Sequence, residues 1–388
     1  MRCVARTFVG MENILAQEIR SLGIEETDIG NGTVVYETDL EGLYRTNYNC
    51  RFASSIIVPI ASNRATSFKQ LYAFMIKIRW DQYLNVEKTY SVKVSGVSEM
   101  FDDFKMVENK VIDAISDNFQ KFYGSKPKLD REYPDLRIDV NVDREFINLG
   151  LDSSGLLLSK RGYRKAVSLS PMNEVLASGL VELSGWDKQS DFVDPMCGSG
   201  TIPIEAYMMM CKIPPGYCRM RFGFQDWYNF DKKLWKQVKE ESNEKIIEPT
   251  GKVIGSDINQ EEIEFAEKNI QRLPNTGNLK FEVKDFFKTK YQEPKTTLIL
   301  SPPFNTTKGV SDILGFFENI GKSCQRNVKS ENLWIFSGTE GAFESLGMEE
   351  KASHTVLNLS VPCTFQKYTL NLEAVSYTHL TLPTKRIV

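Results

Sequence analysis

The spacing of apolar positions divides the chain into two regions with different patterns. In the first region, strand-like runs such as CVARTF (3–8) and TVVYET (33–38) flank apolar positions at helical spacing between 11 and 22. Further strands are predicted over 53–62, 89–97, 136–142 and 145–152, and further helices over 40–48, 68–79 and 103–124. We therefore expect two small α+β units, the first of the ferredoxin-like kind and the second ending near residue 155.

From residue 171 onward, helices alternate with short buried strands. The pattern predicts, in order, a helix (171–185), a strand (190–194), a glycine-rich turn (195–200), a helix (201–211), a strand (252–257), a helix (259–271) and strands over 278–284 and 296–300. Strands separated by helices form a parallel sheet of the doubly wound type, so this region is predicted to be α/β. The segment 212–250 is predicted to be an insertion in that sheet.

The strongest candidate for a functional site is DFVDPMCGSGTIPIEA (191–206), where a strand ends at Asp194 and a helix follows Gly200. Glycines at such a turn let the backbone approach a ligand, and the N–H groups of the helix start point into the same space. The turn contains no Gly-Lys-Ser/Thr, which excludes a P-loop at this position, and Asp194 would repel a phosphate. A carboxylate suits a cationic ligand, and S-adenosylmethionine carries an ammonium and a sulfonium group. We therefore predict S-adenosylmethionine as the cofactor.

Two more acidic residues end the next two predicted strands. Asp257 lies where a carboxylate can accept hydrogen bonds from ribose hydroxyls, and Asp285 where one can accept from an adenine amine. Each acid alone is more often a surface residue or a helix cap, but three on successive strands favour a cofactor site. The predicted cofactor-binding residues are Asp194, Pro195, Gly198, Ser199, Gly200, Thr201, Asp257, Ile258, Asp285 and Phe286.

The fourth predicted strand of this region ends in a Ser-Pro-Pro-Phe segment. Beside a cofactor, the Ser301 hydroxyl and the Pro302 carbonyl could accept hydrogen bonds from an exocyclic amine while Phe304 stacks on the base. Such a reaction depends on orientation and electrostatic placement and requires no imidazole. The alternative is that the prolines form only a rigid turn. The predicted catalytic residues are Ser301, Pro302, Pro303 and Phe304.

Composition limits the chemistry available. With 48 Lys and Arg against 51 Asp and Glu, the net charge of −3 is that of an ordinary soluble protein rather than a strongly basic one. The two histidines, His354 and His379, exclude a multi-histidine metal site, so no metal is expected. Seven cysteines without a Cys-x-x-Cys pair, no signal-peptide pattern and no apolar run of about 18 residues predict a cytoplasmic protein that does not enter a membrane.

Positive charge is nevertheless concentrated in two windows. Residues 51–93 hold seven basic residues against two acidic ones, with aromatic residues between them, and 160–165 hold four cations in six residues. Cations position phosphates and aromatic rings stack on bases, which favours RNA as a partner. The alternative for 51–93 is a solvated charged face over core aromatics. The predicted RNA-binding residues are Arg64, Lys69, Lys77, Lys160, Arg161, Tyr163, Arg164 and Lys165.

Over residues 1–372 the chain resembles the THUMP-domain RNA methyltransferases, in particular the group of RlmL, the bacterial 23S ribosomal RNA guanine-N2-methyltransferase. The motifs that carry the resemblance are, in order, GMENILAQEI, LLLSKRGYR, SPMNEVLASGLVELSGW, DPMCGSGTIPIEA, RFGFQDWYNFDKKLW, GSDIN, SPPF and VPCTFQKY. The resemblance implies a ferredoxin-like region (1–60), a THUMP RNA-binding domain (61–155), a basic linker (156–170) and a Rossmann-like class I methyltransferase domain (171–374). It also implies S-adenosylmethionine as cofactor and N2-methylguanosine in 23S ribosomal RNA as product.

Some features depart from the family pattern. The catalytic segment of the family usually reads NPPY, whereas this chain has Ser301 and Phe304, and Ser-Pro-Pro-Tyr/Phe also occurs in DNA cytosine-N4 methyltransferases. The second methyltransferase domain that some relatives carry is not expected here. The tail 375–388 does not continue the family ending and is predicted to be non-native.

Three other functions stay open at this point. THUMP domains serve transfer RNA enzymes as well as ribosomal RNA enzymes, so a transfer RNA guanine-N2-methyltransferase is one alternative. The SPPF segment leaves DNA amine methylation as a second. The exchange of Asn for Ser leaves a catalytically inactive RNA-binding assembly factor as a third. The insertion and the basic linker resemble the ribosomal enzymes more, which favours 23S ribosomal RNA.

Overall fold

Two β-sheets, each flanked by helices, build the molecule. The computed structural model describes residues 1–166, 168, 171–303, 312–358 and 361–370; Phe304 and the tail 375–388 lie outside these residues. The strands are β1 (Arg2–Arg6), β2 (Thr27–Gly30), β3 (Thr33–Glu37), β4 (Ser55–Arg64), β5 (Thr89–Val97), β6 (Lys128–Leu129), β7 (Leu136–Asp143), β8 (Phe146–Asp152), β9 (Phe192–Asp194), β10 (Val253–Asp257), β11 (Leu279–Val283), β12 (Thr297–Leu300), β13 (Ser330–Ser337), β14 (Ala352–Asn358) and β15 (Val361–Leu370). The α-helices are α1 (Glu12–Ser21), α2 (Leu40–Asn49), α3 (Phe68–Met75), α4 (Phe104–Tyr123), α5 (Glu174–Leu183), α6 (Thr201–Met210), α7 (Lys232–Asn243), α8 (Gln260–Asn269), α9 (Ile313–Asn327) and α10 (Ala342–Leu346).

Side-chain caps decide where several of these helices begin. The Asp103 carboxylate accepts hydrogen bonds from the N–H groups of Lys105 and Met106 at the start of α4, and Gly124, with φ of 70°, ends that helix. Asn173 accepts from the N–H of Val175 at the start of α5, at a distance of 2.9 Å. These contacts satisfy N–H groups that have no partner within the helix.

The N-terminal sheet has eight strands in the order β2-β3-β1-β4-β8-β7-β5-β6. Strand β4 joins the two α+β units, because it pairs with β1 at its start and with β8 along most of its length. The predicted boundary between residues 60 and 61 falls inside this strand. Strands β2 and β6 were not predicted; they have only four and two residues, too few to show an alternating pattern.

The first α+β unit packs directly on the C-terminal region. Leu15 on α1 and Leu180 on α5 are fully buried members of one apolar core. Met11 fills the space beside Gly179, where an added Cβ would lie 2.4 Å from the Met11 Sδ. A side chain at position 179 would therefore require the Met11 side chain to move.

The C-terminal sheet has seven strands in the order β11-β10-β9-β12-β13-β15-β14. The five strands from β11 to β13 are parallel, while β15 runs antiparallel to both β13 and β14. This confirms the predicted α/β fold with α+β N-terminal units. The chain order reverses at β9, with β10 on one side and β12 on the other. In parallel sheets, ligands bind in the crevice at such a reversal, beyond the carboxyl ends of the strands.

Helix α6 follows β9 and is buried on all sides, since every residue from Thr201 to Met210 is buried. It lies in the core shared by the two regions. No helix within the described residues is both long and apolar enough to span a membrane.

Candidate active site

The glycine-rich turn after β9 is held by the end of β10. The Cys197 N–H donates to the Ser256 carbonyl and the Gly198 N–H donates to Asp257 Oδ2, both at 2.9 Å. Gly200 has a φ of +85°, and an added Cβ would lie 2.8 Å from the Phe281 ring. The turn therefore requires glycine at position 200 both for its backbone conformation and for its packing.

Asp194 places a carboxylate at the base of this turn. It is 1% exposed, and its Oδ1 accepts a hydrogen bond of 3.1 Å from the Met196 N–H. Burial, assisted by the Asp257 charge, raises the pKa of Asp194 well above its usual range. No basic side chain among the described residues forms an ion pair with it. A buried carboxylate in this state favours a cationic ligand, which neutralises its charge.

A cleft of about 440 Å³ opens at the turn and joins the predicted cofactor and catalytic residues. Of the predicted residues, it is lined by Asp194, Gly198, Ser199, Thr201, Ser301, Pro302 and Pro303. Gly198 leaves the floor of the cleft open, because nothing but the Glu262 Oε2, at 3.7 Å, lies within 4 Å of an added Cβ. A buried acid, an open glycine turn and a neighbouring Ser-Pro-Pro segment fit the amino acid end and the methyl group of S-adenosylmethionine.

The other predicted cofactor residues lie outside the lining of this cleft. Asp257 holds the turn through Gly198, and Ile258 is 70% exposed beside it. Asp285 accepts a hydrogen bond from the Phe287 N–H and forms an ion pair with Lys288 at 3.1 Å. The remaining residues of this group are Pro195, Gly200 and Phe286.

Phe286 belongs to an apolar core of the C-terminal region. Its side chain is 4% exposed, and its ring stacks on Tyr291 with centroids 6.1 Å apart. Only a small part of its surface is left for the predicted contact with the cofactor. The Asp285 carboxylate, which is one-fifth exposed, is the more accessible of the pair.

The structure corrects the predicted RNA-binding role of Arg161 and Tyr163. The Arg161 side chain is 1% exposed and forms an ion pair of 3.4 Å with Glu205, a fully buried residue in the middle of α6. Arg51 contacts the same carboxylate at 3.2 Å, and the Tyr163 hydroxyl donates to it at 3.3 Å. These groups stay buried because each supplies part of the hydrogen bonding that the Glu205 charge requires.

Arg164 is also turned inward, which corrects its predicted contact with RNA. Its guanidinium donates to Glu174 at 2.9 Å, to Ser199 Oγ at 3.3 Å and to Thr201 Oγ1 at 3.0 Å. The side chain is 13% exposed. Arg164 therefore positions the glycine-rich turn.

The remaining predicted RNA-binding residues are exposed. The Lys160 side chain forms no hydrogen bond or ion pair with the described residues, while the Lys165 ammonium donates to Gln271 at 2.9 Å. Arg64 pairs with Glu145 at 2.7 Å, and Lys69 and Lys77 lie on the surface near α3. These five cations stay candidates for contact with phosphates.

The aromatic residues of the 51–93 window form part of the protein core. Trp80 and Tyr90 are at most 1% exposed, and Phe68 packs against the fully buried Phe101. The alternative of a charged surface over core aromatics therefore holds for these rings.

Several residues that line the cleft were missed by the sequence analysis. Phe8 reaches the cleft from the loop after β1, and Asn358 reaches it from the end of β14. The two elements are joined by a hydrogen bond of 3.1 Å from the Leu357 N–H to the Val9 carbonyl. Nothing in the sequence pairs these distant segments. The other missed residues are Ser168, Pro171, Met172, Asn173, Leu176, Met196, Cys197, Ile202 and Glu262.

Asn173 could have been found, because an Asn followed by an apolar helix is a cap signal. As for metals, the described part of the chain contains no group of three or more His, Cys, Asp or Glu side chains placed to hold an ion.

Three family models match successive parts of the chain. They describe the RlmL ferredoxin-like domain (residues 2–57), the THUMP domain (65–152) and the RMKL-like methyltransferase domain (161–367). Together they leave only short segments of residues 2–367 unmatched.

Known proteins resemble the chain over most of its length. A Synechocystis protein named "Putative RNA methyltransferase slr0064" is 31% identical over 366 residues, which are 93% of this chain and 94% of that protein. "Ribosomal RNA large subunit methyltransferase K/L" of Psychromonas ingrahamii is 30% identical over 94% of this chain. The chain spans only 50% of that protein, about half its length.

A solved structure shares the whole fold. SMU.472, described as a putative methyltransferase complexed with SAH, superposes with a TM-score of 0.82 at 22% identity, over 95% of this chain and 98% of that one.

Proposed function

Because the chain belongs to the RMKL-like methyltransferase family, we propose that it transfers a methyl group to the exocyclic N2 amine of a guanosine in 23S ribosomal RNA. The S-adenosylmethionine-dependent methyltransferase expected from the sequence is confirmed by the family match over residues 161–367. The observation that carries the proposal is that Ser301, Pro302 and Pro303 line the same cleft as Asp194 and the glycine-rich turn.

The cofactor end of the cleft is built to hold a cation. When bound, S-adenosylmethionine supplies an electrophilic methyl group on its sulfonium. The Asp194 carboxylate accepts hydrogen bonds from the ammonium group, which compensates its buried charge. Arg164 keeps Ser199 and Thr201 in place on the other side of the turn.

The substrate end of the cleft orients an amine. The lone pair of an exocyclic amine is delocalised into the base, which makes the nitrogen a poor nucleophile. The Ser301 hydroxyl and the Pro302 carbonyl accept hydrogen bonds from the two N–H groups, so that the lone pair points at the methyl group. Pro302 is buried, and its carbonyl is held in one direction because the ring of Pro303 restricts the ψ of the residue before it. Rate enhancement then comes from orientation in a site with little water.

The choice of RNA rests on the relatives. The THUMP model matches residues 65–152, and the K/L proteins that align with nearly the whole chain are named for large-subunit ribosomal RNA. The flipped guanosine would enter between Ser301 and Phe8, which face the same cleft.

Transfer of tritium from labelled cofactor to three substrates tests the proposal. Unmodified ribosomal RNA, transfer RNA and duplex DNA are incubated side by side with the enzyme. We expect label in ribosomal RNA. Label confined to DNA or to transfer RNA would contradict the proposed substrate, and no label in any of them would support the inactive assembly factor.

A further inference from the structure

A second depression, of about 520 Å³, lies between segments that are distant in sequence. Its walls come from the start of β7 and the loop before it, from the basic linker, from the insertion and from the turn after α8 that carries Arg272. We call it the linker groove and define it by Tyr133, Arg137, Leu156, Lys160, Met220 and Arg272.

The groove is built from tightly fitted backbone. An added Cβ at Gly162 would lie 2.3 Å from the Cys218 carbonyl oxygen, so the insertion touches the linker directly. Arg219 donates hydrogen bonds to the carbonyls of Ser154, Leu156, Leu157 and Lys160, at 2.5–3.0 Å. One half-buried guanidinium therefore fixes the shape of the linker.

Positive charge in the groove is only partly neutralised by contacts with acids. Seven basic and three acidic residues line it, although the whole chain has a net charge of −3. Two of the three acids, Asp226 and Glu174, are paired with Arg221 and Arg164. The third, Glu132, lies on the surface.

Four of the basic residues form no ion pair within the described part of the chain. Arg137 and Arg272 donate to the carbonyls of Glu132 and Gly162, at 2.8 and 2.9 Å. Arg219 likewise donates only to carbonyls, and Lys160 has no side-chain partner. Cations that are not paired with acids attract an anionic chain.

Apolar side chains project into the same space. Met220 is 89% exposed, Tyr133 67% and Leu156 50%. Exposed apolar groups among cations match a chain that carries flat bases between phosphates, because bases stack on aromatic rings and pack on flexible side chains.

The groove lies next to the cleft. Arg164 and Glu174 line the groove, and Arg164 also donates to Ser199 and Thr201, which line the cleft. The groove and the cleft are therefore separated by the width of one pair of side chains, those of Arg164 and Glu174.

We propose that the linker groove binds a single-stranded RNA segment next to the target nucleotide, with phosphates on Lys160, Arg137 and Arg272 and bases against Tyr133 and Met220. This inference rests on the proposed function and adds the insertion as an RNA-binding element. The predicted cation Arg64 lies far from the groove, at the other end of the sheet. Arg64 is opposite Phe146 in the strand register, near the end of β7, whereas the groove lies at the start of β7. The eight residues of β7 separate the two ends by roughly 25 Å.

A matched pair of double variants tests the groove. Lys160→Ala/Met220→Ala removes one cation and one apolar side chain from it. Lys105→Ala/Met106→Ala removes the same residue types from the start of α4, which follows the opposite end of β5. Both methionines and both lysines are exposed, so neither variant should lower the thermal stability.

The binding of a fluorescein-labelled single-stranded RNA of 12 nucleotides, of mixed sequence, is measured by anisotropy at several salt concentrations. We expect the groove variant to raise the Kd about 10-fold and to lower the slope of log Kd against log salt by about 1, since one phosphate contact is lost. The control variant should bind as the wild type does.

If the groove variant and the wild type bind the RNA with equal affinity, the linker groove is not an RNA-binding site. A wild-type protein that does not bind the RNA contradicts the proposal as well. Neither result affects the proposed function, which the tritium assay with ribosomal RNA tests separately. A groove variant with weakened RNA binding, in a protein whose wild type transfers no methyl group to ribosomal RNA, would support the groove and contradict the proposed function.

Discussion

The Asp257 carboxylate accepts a hydrogen bond of 2.9 Å from the backbone N–H of Gly198, so the end of one strand holds the glycine-rich turn that follows its neighbour. The other carboxylate oxygen accepts from the Asn259 N–H, also at 2.9 Å. Asp257 thereby fixes the position of the turn that is proposed to hold the cofactor, in addition to any contact with a ribose.

Asp257→Ala is expected to weaken S-adenosylmethionine binding at least 10-fold, about 1.4 kcal/mol, because the turn loses its anchor. Asp285→Ala is expected to have a smaller effect, since that carboxylate caps Phe287 and pairs with Lys288. Isothermal titration calorimetry with both variants checks this. An unchanged Kd for Asp257→Ala would count against the assigned site.

Asp194→Asn is expected to stabilise the free protein and to weaken cofactor binding. Burial raises the pKa of Asp194, so the folded protein holds the proton more tightly than the unfolded chain does, and its stability falls as the pH rises above about 4. Asparagine stays neutral and keeps an oxygen for the Met196 N–H.

Thermal melts of this variant between pH 4 and 8 provide the measurement. The Tm gain over the wild type should be largest at high pH. It should vanish near pH 4, where residue 194 is neutral in the folded wild type as well as in the folded variant. A variant less stable than the wild type at pH 7.5 would contradict the conclusion that Asp194 is a buried acid without a cationic partner in the free protein.

Glu205→Ala is expected to lower the free energy of unfolding by about 3–5 kcal/mol, because it leaves Arg51 and Arg161 buried without their shared partner. Urea denaturation measures the loss. The matched control is Glu145→Ala, which breaks the exposed pair with Arg64 and should change the stability little. Similar effects of the two variants would mean that the buried network is not structural.

Arg164→Ala is expected to raise the KM for S-adenosylmethionine several-fold while the salt dependence of RNA binding stays unchanged. Its guanidinium donates to Ser199 and Thr201 and is nearly buried. The substitution therefore removes the contacts that hold the turn and removes no contact with a phosphate. Arg164→Lys, which keeps the charge but not the fork of donors, should rescue only part of the loss. A reduced salt slope would instead restore the RNA-binding role predicted from the sequence.

The position of the cleft at one edge of the sheet could be predicted from the sequence. Alternating strands and helices predict a parallel sheet, and the carboxyl ends of its strands meet at one edge, so Asp194 and Ser301 had to lie close together. The placement of β15 between β13 and β14 was not predictable, because antiparallel pairing there depends on contacts far apart in sequence.

The surface positions were harder to predict, because a run of cations does not reveal which of them face inward. In Lys160–Lys165, Arg161 and Arg164 turn towards acids on α6 and α5, while the two lysines stay exposed. One signal was present in the sequence: Glu205 interrupts the apolar helix TIPIEAYMMM, and a buried acid requires a basic partner. Phe8 gave no comparable signal, since it reaches the cleft from the loop after β1, far away in sequence.

The most direct test of the central claim is mass spectrometry of nucleosides from unmodified 23S ribosomal RNA after incubation with the enzyme and S-adenosylmethionine. We expect N2-methylguanosine as the methylated product, and its yield should fall at least 10-fold with Ser301→Ala although cofactor affinity is retained. Ser301→Asn, which installs the usual family residue, should keep the activity. A methylated adenosine or cytidine in place of N2-methylguanosine, or an undiminished yield with Ser301→Ala, would contradict the account.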